Sequence, residues 1–125
     1  MTQLITRIDH ASLIVASTDK ALRFYCGILG LELDPSRPDL GYPGAWLNVG
    51  HGQIHLLELP NLDPVDNRPA HGGRDRHLAL VVSDLDTLIT RLENADITVS
   101  KSKSGRKAAF CRDYDGNALE LVEKT

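Results

Sequence analysis

Apolar and polar residues alternate along Arg7–Ala16. Ala11, Leu13 and Val15 fall on one side of the period, His10 and Ser12 on the other, and this predicts a strand with one buried face. Ser17-Thr18-Asp19 supplies helix N-cap chemistry. Ala21, Leu22, Tyr25, Ile28 and Leu29 then recur at helical spacing up to a stop at Gly30. Leu31–Leu33 reads as a short strand, and 34–44, with three prolines and two glycines, as a loop. Ala45–Val49 and Gln53–Leu59 form a hairpin about Gly50-His51-Gly52. Pattern lapses over 60–73 and restarts at Asp75–Ser83, where Leu78, Leu80 and Val82 oppose His77 and Ala79. Asp84 caps a helix marked by Leu85, Leu88, Ile89, Leu92 and Ala95. Ile97–Val99 is a short strand and Ser100–Lys107 a polar loop. Ala108–Arg112 and Ala118–Glu123 are strands about the turn 113–117.

The order βαβββ therefore occurs twice. His10 aligns with His77, Leu22 with Ile89 and Tyr25 with Leu92, and the polar residues keep step: His55 follows His10 by 45 residues, Glu120 follows His77 by 43. We read an internal repeat within one domain, 1–125: a first module at about 5–60, a linker at about 61–73 and a second module at about 74–125. The linker is long for a structureless connection, which points to a role over a site.

In each half the strand alternation turns a histidine or carboxylate away from the consistently apolar face. His10, His55, His77 and Glu120 would thus project from the helix-free face of a concave sheet. Imidazole nitrogens with one carboxylate suit Zn, Ni, Fe, Mn or Co, so the set reads as a shared divalent-metal site. Trp46, on one face with Asn48, is a candidate wall for a substrate pocket. Phe110 and Arg112 share a face and are candidates for holding a planar or anionic ligand.

Composition narrows the partners. The 125 residues suit one compact domain, and 42% apolar with 25% charged residues is ordinary for a soluble fold. A net charge of −3 without a basic run argues against nucleic acid and membrane surfaces. No stretch approaches the roughly 20 apolar residues of a membrane span. Met1-Thr2-Gln3-Leu4 does not open a signal peptide, so the cytoplasm is expected, with Cys26 and Cys111 reduced.

Three segments carry a family resemblance: Ile8-Asp9-His10-Ala11, then Ala21-Leu22-Arg23-Phe24-Tyr25 before Leu29-Gly30-Leu31-Glu32, and the closing Asp113-Tyr114-Asp115-Gly116-Asn117-Ala118-Leu119-Glu120-Leu121. The chain resembles the vicinal oxygen chelate superfamily of glyoxalases, bleomycin-resistance proteins and extradiol dioxygenases. The resemblance implies an α+β fold of two tandem βαβββ modules forming cupped mixed sheets. It implies a homodimer with sites between an N-terminal and a C-terminal half, and metal positions at His10, His55, His77 and Glu120. The implied activity is that of a small metal-dependent enzyme of glyoxalase or dioxygenase type. The metal chelates neighbouring oxygens of a small molecule, and Glu120 serves as the catalytic carboxylate that moves a proton. The sequence departs from the pattern in three places. Tyr114 stands where the closing motif has proline, and His55 where glyoxalase I-type enzymes carry Glu. Glu123-Lys124-Thr125 lacks the arginine with which fosfomycin-modifying thiol transferases hold the phosphonate. Such a transferase, and a metal-free sequestering protein like the bleomycin binders, are the alternatives.

Overall fold

The computed structural model describes residues 2–124. The strands are β1 (His10–Val15), β2 (Glu32–Asp34), β3 (Gly44–Val49), β4 (Gly52–Glu58), β5 (His77–Val82), β6 (Ser100–Lys101), β7 (Ala108–Arg112) and β8 (Ala118–Glu123). Helix α1 (Thr18–Leu22) follows β1, and α2 (Leu85–Asn94) follows β5. The strands form two mixed four-stranded sheets of identical order, β1-β4-β3-β2 and β5-β8-β7-β6. In each, the strand before the helix pairs in parallel with the last strand, and the remaining pairs are antiparallel. This is the α+β architecture that the repeated βαβββ pattern implies.

Helix entry is fixed locally. Ser17 accepts from the Lys20 amide and Asp84 from the Thr87 amide, satisfying donors that have no partner inside the helix. The first helix departs from the expected regular α-helix, because after Leu22 it widens into a π-helical stretch, Arg23–Ile28. The consecutive aromatics Phe24 and Tyr25 are both fully buried at this widening. Gly44 opens β3 because a Cβ there would stand 2.2 Å from the Leu56 carbonyl oxygen, so only glycine allows the close approach of β4. The expected strand at Ile97–Val99 is displaced to Ser100–Lys101. Asp96 in the left-handed region and the Ile97 amide bonded to Leu92 O close the second helix, and Ile97 and Val99 pack against the core instead. β5 begins at His77 rather than Asp75, since the Asp75 side chain is drawn aside by two arginines.

One continuous apolar cluster joins the halves, with Val15, Tyr25, Leu47, Ile54 and Leu56 from the first and Leu85, Leu92, Leu119 and Leu121 from the second. Polar bonds at the closing turn fasten it. Asp113, 6% exposed, accepts from the Tyr25 hydroxyl at 2.7 Å, from the Asp115 and Asn117 amides at 2.9 Å and from Asn117 Nδ2 at 2.8 Å. Asp115 accepts from the Ala16 amide, and Asn117 donates to Ile14 O, so the turn also grips the end of β1. Gly116 sits at φ +83°, which the turn requires. Burial and the neighbouring Asp113 charge push the Tyr25 hydroxyl well above its ordinary range, so it remains a donor. No helix among the described residues is long and apolar enough to cross a membrane.

Replacing Tyr25 by Phe removes one donor from a buried carboxylate while keeping the ring. We expect a loss of about 1.5–3 kcal/mol in urea unfolding with an unchanged denaturant slope. A loss within error would mean that the other three donors suffice.

Candidate functional site

Parallel register places the candidates in pairs. Ser12 faces His55 across β1 and β4, and Ala79 faces Glu120 across β5 and β8. His10 and His55 are therefore diagonal neighbours on the first sheet, and His77 and Glu120 occupy the same diagonal on the second. The sequence repeat reappears as a repeat of geometry. The four do not converge within one chain: no cluster of three or more His, Cys, Asp or Glu poised to hold a metal ion forms among the described residues. Each sheet carries half of the expected set.

On the first sheet, His10 and His55 stack with centroids 3.9 Å apart and planes at 15°, and Trp46 stacks on the other side of His55 at 4.6 Å and 10°. His10 Nδ1 lies 2.8 Å from Asp9 Oδ2, and His55 Nε2 lies 2.8 Å from Gln53 Oε1. The Gln53 amide is oriented by its own donations to Asp34 Oδ2 and Asn48 Oδ1. Both partners of the histidines are acceptors, so each ring commits one N–H, leaving His10 Nε2 and His55 Nδ1 as lone-pair donors. Burial and the adjacent His10 hold His55 below its usual pKa, which favours the neutral, ligating form.

On the second sheet, His77 Nδ1 lies 2.9 Å from the Asp75 carbonyl oxygen and must carry the proton there. Its Nε2 stands 3.2 Å from Glu120 Oε1. A neutral ring so tethered turns a lone pair toward a carboxylate oxygen, and only a second proton or a cation satisfies both. Two donor atoms at about 2.1 Å from one ion stand roughly 3.0–3.4 Å apart, so the observed separation suits a hydrogen bond or a shared ion equally. Glu120 is 4% exposed, and its other oxygen receives Arg106 at 2.7 Å. Phe110, directly across from Glu120, meets the His77 ring edge-on at 5.3 Å.

The residues present fit a divalent ion. Three histidines each have one ring nitrogen tied to an oxygen acceptor, the outer bonding that orients metal-binding imidazoles. The stacked pair cannot ligate together as placed. A metal lies in the plane of each ring that binds it, and two near-parallel planes share no such point, so one ring must turn.

The remaining candidates separate. Trp46 flanks the histidine stack. Arg112 is fully engaged: it pairs with Asp75 at 2.9 Å and donates to Gly116 O and Pro69 O, each at 2.7 Å, and so anchors the linker. The Asp75 carboxylate also pairs with Arg68 and accepts from the Arg76 backbone amide at 2.8 Å. The end of the linker lies against the second sheet, with Gly72 against Ala118 and Phe110 and His71 over the Phe110 ring. His71, expected at the surface, is half-buried, its Nε2 at 3.1 Å from Lys101 O. Residue patterns alone missed the roles of Asp9 and Gln53, and placed Arg106 only within the polar loop Ser100–Lys107. The first two precede their histidines by one and two positions, a signal that can be read. Arg106 sits in a polar loop with none. A cleft of about 320 Å³ between β1 and β5 reaches Ser12, Arg76 and His77. Another cleft, of about 680 Å³, lies at the far end of β1 beside Glu58, Tyr114 and Asp115 and contains none of the candidates.

Two βαβββ halves with paired mixed sheets of this order define a class of folds. The chain belongs to the Glyoxalase/Bleomycin resistance protein/Dioxygenase superfamily, matching it over residues 7–121. Among relatives, Glyoxylase I 4 of Arabidopsis thaliana is 32% identical over 124 residues, covering 94% of this chain and 70% of that one. Lactoylglutathione lyase of Haemophilus influenzae is 26% identical, covering 94% and 92%. A solved glyoxalase family protein from Bacillus anthracis shares the fold with a TM-score of 0.81, at 24% identity across the whole of both chains.

Asp75, with a side chain only 6% exposed, is held far below the usual carboxylate range, first by Arg68 and then by Arg112. Its unfolded pKa is about 4, so its contribution is complete above that pH and is lost as pH falls. Asp75→Asn should flatten the loss of stability between about pH 4 and pH 2. Overlapping acid limbs in parent and variant urea midpoints would rule this out.

Proposed function

We propose that this chain is a divalent-metal-dependent lyase of glyoxalase type that works in the cytoplasm as a homodimer. Each site takes His10 and His55 from one protomer and His77 and Glu120 from a second copy. One observation carries the reading: all three histidines have one nitrogen committed to an oxygen acceptor, and the free nitrogen of the third stands at chelating distance from a buried carboxylate. The division of the set between two sheets supports the dimer, and two unpaired thiols suit a reducing compartment.

The bound ion supplies Lewis-acid stabilisation of the charge that develops on neighbouring substrate oxygens. The protein's own groups do the rest. Asp9, Gln53 and the Asp75 carbonyl orient the imidazoles. Trp46 and Phe110 form flat apolar walls that exclude water on either side. Glu120 is the one carboxylate among the four, and its oxygen accepts the proton removed from substrate and returns it. Where glyoxalase I-type enzymes carry Glu on the fourth strand, this chain has His55. This neutral imidazole can ligate or accept a proton, so a single carboxylate handles the transfer here. Relatives are named lactoylglutathione lyase, and the probe reaction is the formation of lactoylglutathione from a hemithioacetal of glutathione.

Elemental analysis of untagged protein should find about one divalent ion per protomer, falling sharply in His77→Ala and Glu120→Ala. Turnover of the hemithioacetal should fall with it. A complementation test addresses the dimer. His10→Ala and Glu120→Ala, each inactive alone, should on mixing and re-equilibration recover roughly a quarter of parental turnover, because half of the dimers then hold one intact site. No recovery would place all four ligands in one chain. Absence of bound metal, together with stoichiometric ligand binding without turnover, would establish a sequestering protein instead. The aromatic stack of His10, His55 and Trp46 gives that reading a platform for a planar ligand.

A further inference from the structure

Arg106 reaches from the loop between β6 and β7 to the buried Glu120, placing a guanidinium nitrogen 2.7 Å from Oε2. The two ends of this contact differ. The Glu120 side chain is 5% exposed and the Arg106 side chain 55%. A buried carboxylate without a counter-charge is costly, so Glu120 must keep a cation near it. His77 faces its other oxygen, with Nδ1 already donating to a carbonyl. Arg106 is the full positive charge on the group.

The loop that carries Arg106 bonds largely to itself. Ser102 Oγ and Ser104 Oγ are 2.7 Å apart, Ser104 Oγ lies 3.3 Å from Arg106 Nε, and Gly105 adopts φ +83° with nothing near its would-be Cβ. Its adjoining strand β6 has only two residues. Withdrawing Arg106 therefore breaks one buried contact and returns a half-exposed guanidinium to water. A divalent ion drawn to His77 and Glu120 would bring two further positive charges beside it, and like charges that close repel strongly away from bulk water.

We propose that Arg106 is a displaceable counter-ion of Glu120: it neutralises the buried carboxylate until a divalent cation takes it, then swings out to the mouth of the site. The proposal rests on the metal-site reading above. Arg106 thereby opposes metal binding, setting affinity below what the ligands alone would give, and is released as a free planar donor toward solvent.

The test uses the full chain, stripped by chelator and then titrated with Co²⁺ against a chromophoric competitor, beside thermal unfolding with and without saturating metal. Arg106→Gln should bind Co²⁺ on the order of tenfold more tightly than the parent. Its melting temperature should fall in the stripped protein, where Glu120 loses its partner, and match the parent when metal is saturating. Lys103→Gln, a neighbouring charge on the same loop, should behave as the parent in both measurements. Unchanged affinity in Arg106→Gln overturns the proposal while leaving the metal site intact. Weakened affinity overturns it too, making Arg106 a supporting partner of a bound carboxylate. If parent and variant both fail to bind Co²⁺, the metal-site reading falls and takes this proposal with it.

Discussion

The packing of the two halves depends on a buried carboxylate that has no part in the site. Asp113 is buried, and four donors converge on it, one from the first helical segment and three from its own turn. Such a group tolerates neither a missing partner nor a shifted one. Tyr25 must arrive from 88 residues away, and the end of β1 must lie where Ala16 and Asn117 can bond across. The closing motif, Asp113-Tyr114-Asp115-Gly116-Asn117, is thus the clasp that sets one sheet against the other. Tyr114, where the family pattern has proline, stays more than half exposed and packs its ring edge-on to Phe24, so the departure costs the clasp none of its donors.

Against that fixed frame, the polar face of each sheet repeats one diagonal. A parallel pair offset by two residues brings β1 to β4 and β5 to β8, so the same register presents His10 with His55 and His77 with Glu120. The repeated βαβββ order accounts for the symmetry. The halves differ in charge. The first is an aromatic stack of His10, His55 and Trp46. The second is a carboxylate with a histidine, an arginine and a covering linker. The negative charge of the pair therefore lies with the second half, and the first offers imidazole nitrogens.

The two buried carboxylates show how environment divides labour between identical groups. Asp113 takes its donors from neutral hydroxyl and amide groups of a tight turn and a packed helix. Glu120 shares its oxygens with a histidine and with a surface arginine that solvent can reclaim. The first arrangement is rigid because every donor is already part of the fold. The second can exchange partners, as a group that binds or moves a cation must.

Much of this was legible in the residues. Two-residue alternation in β1, β4, β5 and β8 put His10, His55, His77 and Glu120 on polar faces, because a strand's geometry assigns its sides locally. Caps at Ser17 and Asp84 and the strands Ala108–Arg112 and Ala118–Glu123 followed from equally local chemistry. Elements whose form is set by neighbours were not legible: the π-helical widening around Phe24 and Tyr25, the short strand moved to Ser100–Lys101, and Arg112 turned from a ligand candidate into an anchor by Asp75 and Pro69. Alternation and repetition determined which residues share a face. The tertiary structure alone decided how the four candidates divide between sheets, and that Arg106 stands on Glu120. Such contacts join segments 14 to 45 residues apart, and local periodicity carries no information about which distant charges meet.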